Sequence, residues 1–298
     1  LSDERLPETP DEEDGQRQTT PFLVLQFFIF PMAIVAVSVT VFVLFGLIAS
    51  EHKTARDYLA EIRAGSSNTR WQAAYALSTL VQSGDPKALA DPRFVPEALD
   101  LFAHSGNDDP RVRRYLAVTL GRLGDRRAVP VLTDFLENGG ADADPEAQVY
   151  ATWALGALGD PSAVPVLLKL ARSDDQGLRK TAVHSLASFG GQEVDQALGE
   201  ALKDAVEDVR WNAALALARR GKHEALPVIL QMLDRTHLAS VPGLTAEQRR
   251  EAMLQAIPAA AALGGDTVAT TLGALAQSDP DLAVREAARK ALPTPGHP

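Results

Sequence analysis

From Phe22 to Ala49 the chain carries no charged residue, a run of 28 positions. A helix needs about 20 apolar residues to cross a bilayer core. Gln26 and Pro31 fall in the first third of the run, so its securest part is Phe27 to Ala49. No polar face recurs with a period of 3.6, so the segment is apolar all round. A secretory leader would show a shorter apolar stretch, roughly 7–15 residues, behind a basic start. Here the preceding tail is acidic. The pattern predicts one transmembrane helix over 22–50. Pro31 lacks an N–H and either kinks this helix or stands near its start. Gly46 and Ser50 form a small-xxx-small pair at which another helix can approach. These three are candidate partner contacts within the bilayer.

The flanking charges give an orientation. Residues 1–21 hold Arg5 and Arg17 against Asp3, Glu4, Glu8, Asp11, Glu12, Glu13 and Asp14, and have no apolar period. Lys53, Arg56, Arg63 and Arg70 follow the run on its other side. Basic residues favour the inner side of a membrane. The expected placement is a bacterial-type inner (plasma) membrane, with the tail outside and the rest of the chain cytoplasmic.

Beyond a short predicted helix within 51–67, residues 68–298 repeat themselves. Asp109-Pro-Arg-Val-Arg-Arg-Tyr-Leu-Ala-Val-Thr-Leu-Gly-Arg-Leu-Gly-Asp125 is followed by Ala128-Val-Pro-Val-Leu. Tyr150-Ala-Thr-Trp-Ala-Leu-Gly-Ala-Leu-Gly-Asp160 is followed by Ala163-Val-Pro-Val-Leu. Gly124, Gly159, Gly190 and Gly221 recur at 35, 31 and 31 residues, and Gly264 comes 43 further on, which is 31 plus a 12-residue insertion. Each unit reads as an Ala/Leu-rich helix ending at a glycine, where a left-handed cap carries no Cβ strain. An aspartate then caps the turn at Asp125 and Asp160. Pro130, Pro165 and Pro227 fall in the first turn of the second helix, where a missing N–H costs little. One hairpin cannot bury both its apolar faces, whereas stacked hairpins can.

The stretches Val112-Arg113 to Asp125, Val164-Pro165-Val166-Leu167 and Val209-Arg210 to Gly221 carry a resemblance to the HEAT-like repeats first associated with phycobilisome lyases. The resemblance spans roughly Asn68 to Leu292. It implies an all-α fold: an α-solenoid of about six HEAT-like hairpins plus a closing helix, preceded by the transmembrane helix. It says little about function, because many such arrays are partner-binding modules. An arginine recurs at Arg70, Arg113, Arg179 and Arg210, eleven residues before the glycine in the last three, with Arg285 equivalent in the closing half unit. A repeat-defining register of this kind points to a structural ladder bonded to turn carbonyls and turn aspartates, rather than to a ligand grip.

Chemistry is hard to find. There are no cysteines, so disulfides and thiolate catalysis are excluded. No two of the six histidines lie within one helical turn, and no phosphate loop, dinucleotide fingerprint or nucleophile elbow is present. Asp142-Ala-Asp144 lacks the glycine and spacing of a calcium loop. The net charge is −10, of which the tail carries −5. A nucleic-acid reader needs a basic stripe, and none is apparent; Trp71, Trp153 and Trp211 therefore read as packing rather than base-stacking groups. No cofactor, metal or nucleic-acid partner is expected. The irregular places are Gln82–Arg93 and the insertion Thr236–Thr245, where Leu238, Val241 and Leu244 look exposed and are candidate contacts. The expected function is a non-catalytic, membrane-anchored adaptor or accessory subunit that docks protein subunits and stabilises a larger membrane complex, a transporter or an electron-transfer assembly. The alternative is a membrane-tethered regulatory or sensor protein. The least favoured is an enzyme like the bilin lyases, which act on a tetrapyrrole and a partner's cysteine.

Overall fold

The structure, a computed structural model, describes residues 29–49, 53–84, 91–139 and 144–292, with side chains in the first stretch described as far as residue 44. The acidic tail, Ser50, Asp142 and residues 85–90 of the long turn lie outside the described residues. Internal packing divides the chain between Lys53 and Thr54 into two units.

The first unit contains α1 (Phe30–Ala49), 20 residues without a charge. Its side chains from Phe30 to Leu44 are all exposed. The hydroxyls of Ser38 and Thr40 donate to the carbonyls of Ile34 and Ala36, each at 2.8 Å. Pro31 is the second residue of α1, so its missing N–H removes no hydrogen bond within the segment. Gly46 is helical. Among the described residues no helix is long and apolar enough to cross a membrane. The stretch of α1 with described side chains, Phe30 to Leu44, spans only about 22 Å at 1.5 Å per residue. The crossing expected from the sequence is therefore not shown by the structure.

The second unit is all helix among its described residues. It opens with α2 (Ala55–Ala64), where Thr54 and Asp57 form a reciprocal capping box. This helix starts afresh at its own cap, and Leu59 and Ile62 are buried in the core of the array. Six hairpins follow: α3 (Ser67–Ser83) with α4 (Phe94–His104), α5 (Pro110–Leu123) with α6 (Ala128–Asn138), α7 (Pro145–Leu158) with α8 (Val164–Leu170), α9 (Gln176–Leu186) with α10 (Gln192–Ala201), α11 (Glu207–Ala218) with α12 (Leu226–Leu233), and α14 (Ala246–Leu263) with α15 (Asp266–Ser278). A six-residue helix, α13 (Arg235–Ser240), occupies the insertion, and α16 (Leu282–Ala291) closes the array. The first helices α3, α5, α7, α9, α11, α14 and α16 pack one on the next, while α2, α4, α6, α8 and α10 form the second layer. The unit is thus a two-layered solenoid.

Local chemistry sets the boundaries. Asp109 and Asp144 cap α5 and α7, each followed by a proline at the first helical position. Gly124 and Gly159 end the same helices in left-handed conformation, at φ 67° and 62°. Asp125 and Asp160 accept from the N–H groups of Arg127 and Ser162 at 3.0 and 2.9 Å. Between the layers Leu116, Leu120, Leu132, Leu155, Leu167, Leu186, Leu198, Leu217 and Ile229 are fully buried. The repeat register differs from expectation at one point. α9 stops at Leu186, the Phe189 N–H closes a tight turn onto the Leu186 carbonyl at 3.0 Å, and the left-handed conformation falls on Gly191, not Gly190.

Candidate functional site

The recurring arginines come from the first turns of the first helices, where their side chains reach back over the preceding turn. Arg70 donates from Nε to the Ile62 carbonyl at 2.6 Å and from Nη2 to Asp108 at 2.5 Å. Arg179 donates to the Ser173 carbonyl at 2.9 Å and to Asp204 at 2.8 Å. Arg210 reaches the Asp204 carbonyl at 2.5 Å and pairs with Glu207. Arg285 reaches the Asp279 carbonyl at 2.5 Å. Three of these acceptors stand six residues back along the chain, at the turn that ends the previous repeat. Burial alone would raise the carboxyl of Asp204, but the bonds from Arg179 and the Val206 N–H outweigh it and hold the group below its ordinary value. These four side chains are spent on holding the turns. Arg113 occupies the same register but, among the described residues, bonds only to the Ser105 hydroxyl, at 3.0 Å.

A second set of arginines, not singled out by the repeat register, ties successive first helices. Arg114 binds Asp144 through Nε at 2.5 Å and also pairs with Glu146. Arg220 donates to Asp195 at 2.6 Å and to the Leu186 carbonyl at 3.1 Å. Arg122 donates to the Ser78 carbonyl at 3.0 Å. Their signal in the sequence was a cationic group either directly after the ladder position, Arg114, or at the end of a first helix, Arg122 and Arg220, positions shared only by some repeats.

The insertion is not an open loop. Asp234 caps α13, accepting from the Thr236 N–H at 2.8 Å. Leu238 is fully buried, which corrects its expected exposure, because one helical turn points it into the core. Val241 is half-buried. Leu244 is half-buried and packs against the core beside Trp211 at the floor of a cavity of about 210 Å³ between α11 and α14. Lys180 and Asp208 pair at its rim. Trp211 is buried, Trp153 packs against the core, and Trp71 lies under the guanidinium of Arg111, 4.0 Å from the ring centroid. Of the expected contacts, the structure brings Leu244 to a cavity, takes Leu238 out of reach and leaves Pro31 exposed on α1. Among the described residues no group of three or more His, Asp or Glu side chains is placed to hold a metal.

Residues 135–209 match the profile of HEAT repeats, and residues 112–138 and 209–235 match that of the PBS lyase HEAT-like repeat. No curated protein matches the sequence significantly. Among solved structures, the chain is similar to the complex of CpcE and CpcF of phycocyanin lyase from Nostoc sp. PCC7120, with 18% identity and a TM-score of 0.50, covering 81% of this chain and 88% of that one. It is similar to YIBA of Escherichia coli at 16% identity and a TM-score of 0.50, covering 83% and 96%. Human deoxyhypusine hydroxylase aligns at 19% identity with a TM-score of 0.33, covering 83% and 97%. At such identities the likeness concerns fold alone. The second unit is an α-solenoid of HEAT-like repeats, and those at 112–138 and 209–235 are of the PBS-lyase kind.

Proposed function

We propose that this protein is a membrane-anchored, non-catalytic docking subunit, whose repeat array holds protein partners within a larger membrane complex. The observation that carries the reading is the uncharged run of the sequence from Phe22 to Ala49; in α1, the described part of it, the apolar side chains are exposed and the two hydroxyls are satisfied by their own backbone. A helix spanning a bilayer must satisfy every polar group internally, and the uncharged run of the sequence, 28 residues from Phe22 to Ala49, exceeds the roughly 20 that a crossing needs. Joined to it in one chain is a repeat array, a fold that offers long surfaces to partners. The non-catalytic part of the reading is supported by where the polar side chains go: the arginine ladder and its aspartates bind turns and neighbouring helices. The flanking charges support a bacterial-type inner membrane with the array cytoplasmic. The host is a complex of the transporter or electron-transfer kind.

Extraction of membranes in mild detergent tests the reading. The chain is expected in the membrane fraction after alkaline carbonate washing, and in a stoichiometric complex after solubilisation. A carbonate-soluble chain removes the anchor, and a chain that elutes alone removes the docking role.

A further inference from the structure

Arg113 departs from its ladder. The other four members each reach a backbone carbonyl, and three of them also hold a carboxylate. Arg113 has one acceptor among the described residues, the Ser105 hydroxyl, which itself donates onward to the Phe102 carbonyl at 2.8 Å. Its Nη1 and Nη2 have no acceptor among the described residues. The two carboxylates that act on it, Asp108 and Asp144, are already bound by Arg70 and Arg114. Burial pushes this guanidinium below its ordinary range, with those two carboxylates pulling weakly the other way. A partly buried charge without a partner is destabilising, and proteins pair such groups.

The side chain lines a cavity of about 330 Å³ between α4 and α6. Phe102, Val131 and Phe135 give it an apolar wall, and the guanidinium carbon lies 4.9 Å from the Phe135 ring centroid. Asn107 and Asn138 stand at its edge. Gly106 keeps the approach to the cation open, since a Cβ there would come within 3.1 Å of Arg113 Nη2. These two Nη groups, with no acceptor among the described residues, form a planar fork that matches a carboxylate. The C-terminal ends of α4 and α6 and the Asp134 carboxylate also border the cavity. They work against any anion and most against a dianion such as phosphate, while the aromatic wall suits a short apolar stem. We propose that this cavity receives a glutamate side chain from an extended segment of a docking partner, with Arg113 as the anchoring cation. The proposal rests on the docking reading above and gives it a first contact.

Titration of the full-length chain in detergent micelles, followed by Arg Nε–H NMR and anisotropy, tests this. The probes are the blocked peptide acetyl-Ala-Val-Glu-Val-Ala-amide, its Gln counterpart, butyrate and inorganic phosphate. Saturable binding of the Glu peptide and of butyrate is expected, at least tenfold weaker for the Gln peptide and for phosphate. R113Q and the approach-blocking Gly106→Val should each weaken the Glu peptide at least tenfold. Butyrate binding without peptide binding would make this a site for a free acid and overturn the partner assignment. Stability gives a second readout: R113M should keep or raise the Tm, whereas R179M lowers it. Failure of every probe to bind, with R113M as damaging as R179M, makes Arg113 an ordinary ladder residue. Failure of the docking reading looks different: a chain that is alone in native detergent extracts but still binds the Glu peptide.

Discussion

Arg235, the first residue of the insertion helix, grips Asp279 across 44 positions of sequence, donating from Nε and Nη2 to the two carboxylate oxygens at 2.7 and 2.6 Å. Asp279 also accepts from the Asp281 N–H at 2.9 Å, and its backbone carbonyl receives Arg285. One buried carboxylate thus ties the insertion to the turn before the closing helix. Its side chain is 1% exposed and that of Arg235 40%. Burial by itself would raise the Asp279 carboxyl, but the Arg235 and Asp281 bonds prevail and hold it below its ordinary value of 3.8. A depressed carboxyl contributes stability that is complete above the ordinary range and is lost as pH falls through the lowered value. The tie is therefore expected to fail only below about pH 4. R235A leaves the buried carboxylate unpaired and should cost about 1–3 kcal/mol at pH 7, discounted for the exposed arginine. Thermal unfolding from pH 7 to 3 checks both: the R235A deficit should shrink in acid, and a deficit that persists unchanged at pH 3 contradicts the account.

The stacking of first helices depends on small residues at their crossing. A Cβ placed on Gly156 would lie 2.5 Å from the Cβ and Oγ of Ser185 and 2.9 Å from its Cα. Gly156→Ala should cost about 1–3 kcal/mol by overpacking. Ser185→Gly in the same chain should recover part of that loss, although it sacrifices the Ser185 hydroxyl bond to the Thr152 carbonyl. A double-mutant cycle by denaturant unfolding reads the coupling, and strictly additive effects would show that the helices can separate freely.

Leu238 and Leu244 look alike in the sequence and should behave differently. Leu238→Ala removes a fully buried side chain and should cost about 2–5 kcal/mol. Leu244→Ser, at a half-buried site, should cost less than half as much in the same unfolding measurement. Equal losses would mean that the insertion packs otherwise.

These contrasts mark what was legible in the chain. Hairpin number, the closing helix, the caps at Gly124 and Gly159 and the proline starts followed from periodicity, because each depends on a local backbone preference. The shift from Gly190 to Gly191 did not, since repeat spacing cannot choose between adjacent glycines when the helix before them stops early. Burial of Leu238 carried a faint signal, a capping aspartate four residues before it, hidden by its place in an insertion. The exceptional state of Arg113 had none: its register is that of its neighbours, and only the three-dimensional position of Asp108 and Asp144, both already bound, sets it apart.

The anchor reading makes its own prediction. An arginine in place of Val37, near the middle of α1, should disfavour membrane insertion by about 2.5–3.5 kcal/mol. The same change at Lys53 should have no such effect. Partition of the two variants between carbonate pellet and supernatant reads the difference, and retention of both in the pellet would contradict a spanning helix.

The central claim, a tethered array whose work is to hold partners, is tested most directly by the mass of the native particle. The chain, tagged at its natural level and extracted from membranes in mild detergent, should run by native mass spectrometry as a complex of fixed stoichiometry with other polypeptides. A monodisperse particle containing one copy of this chain and no other subunit would contradict the claim.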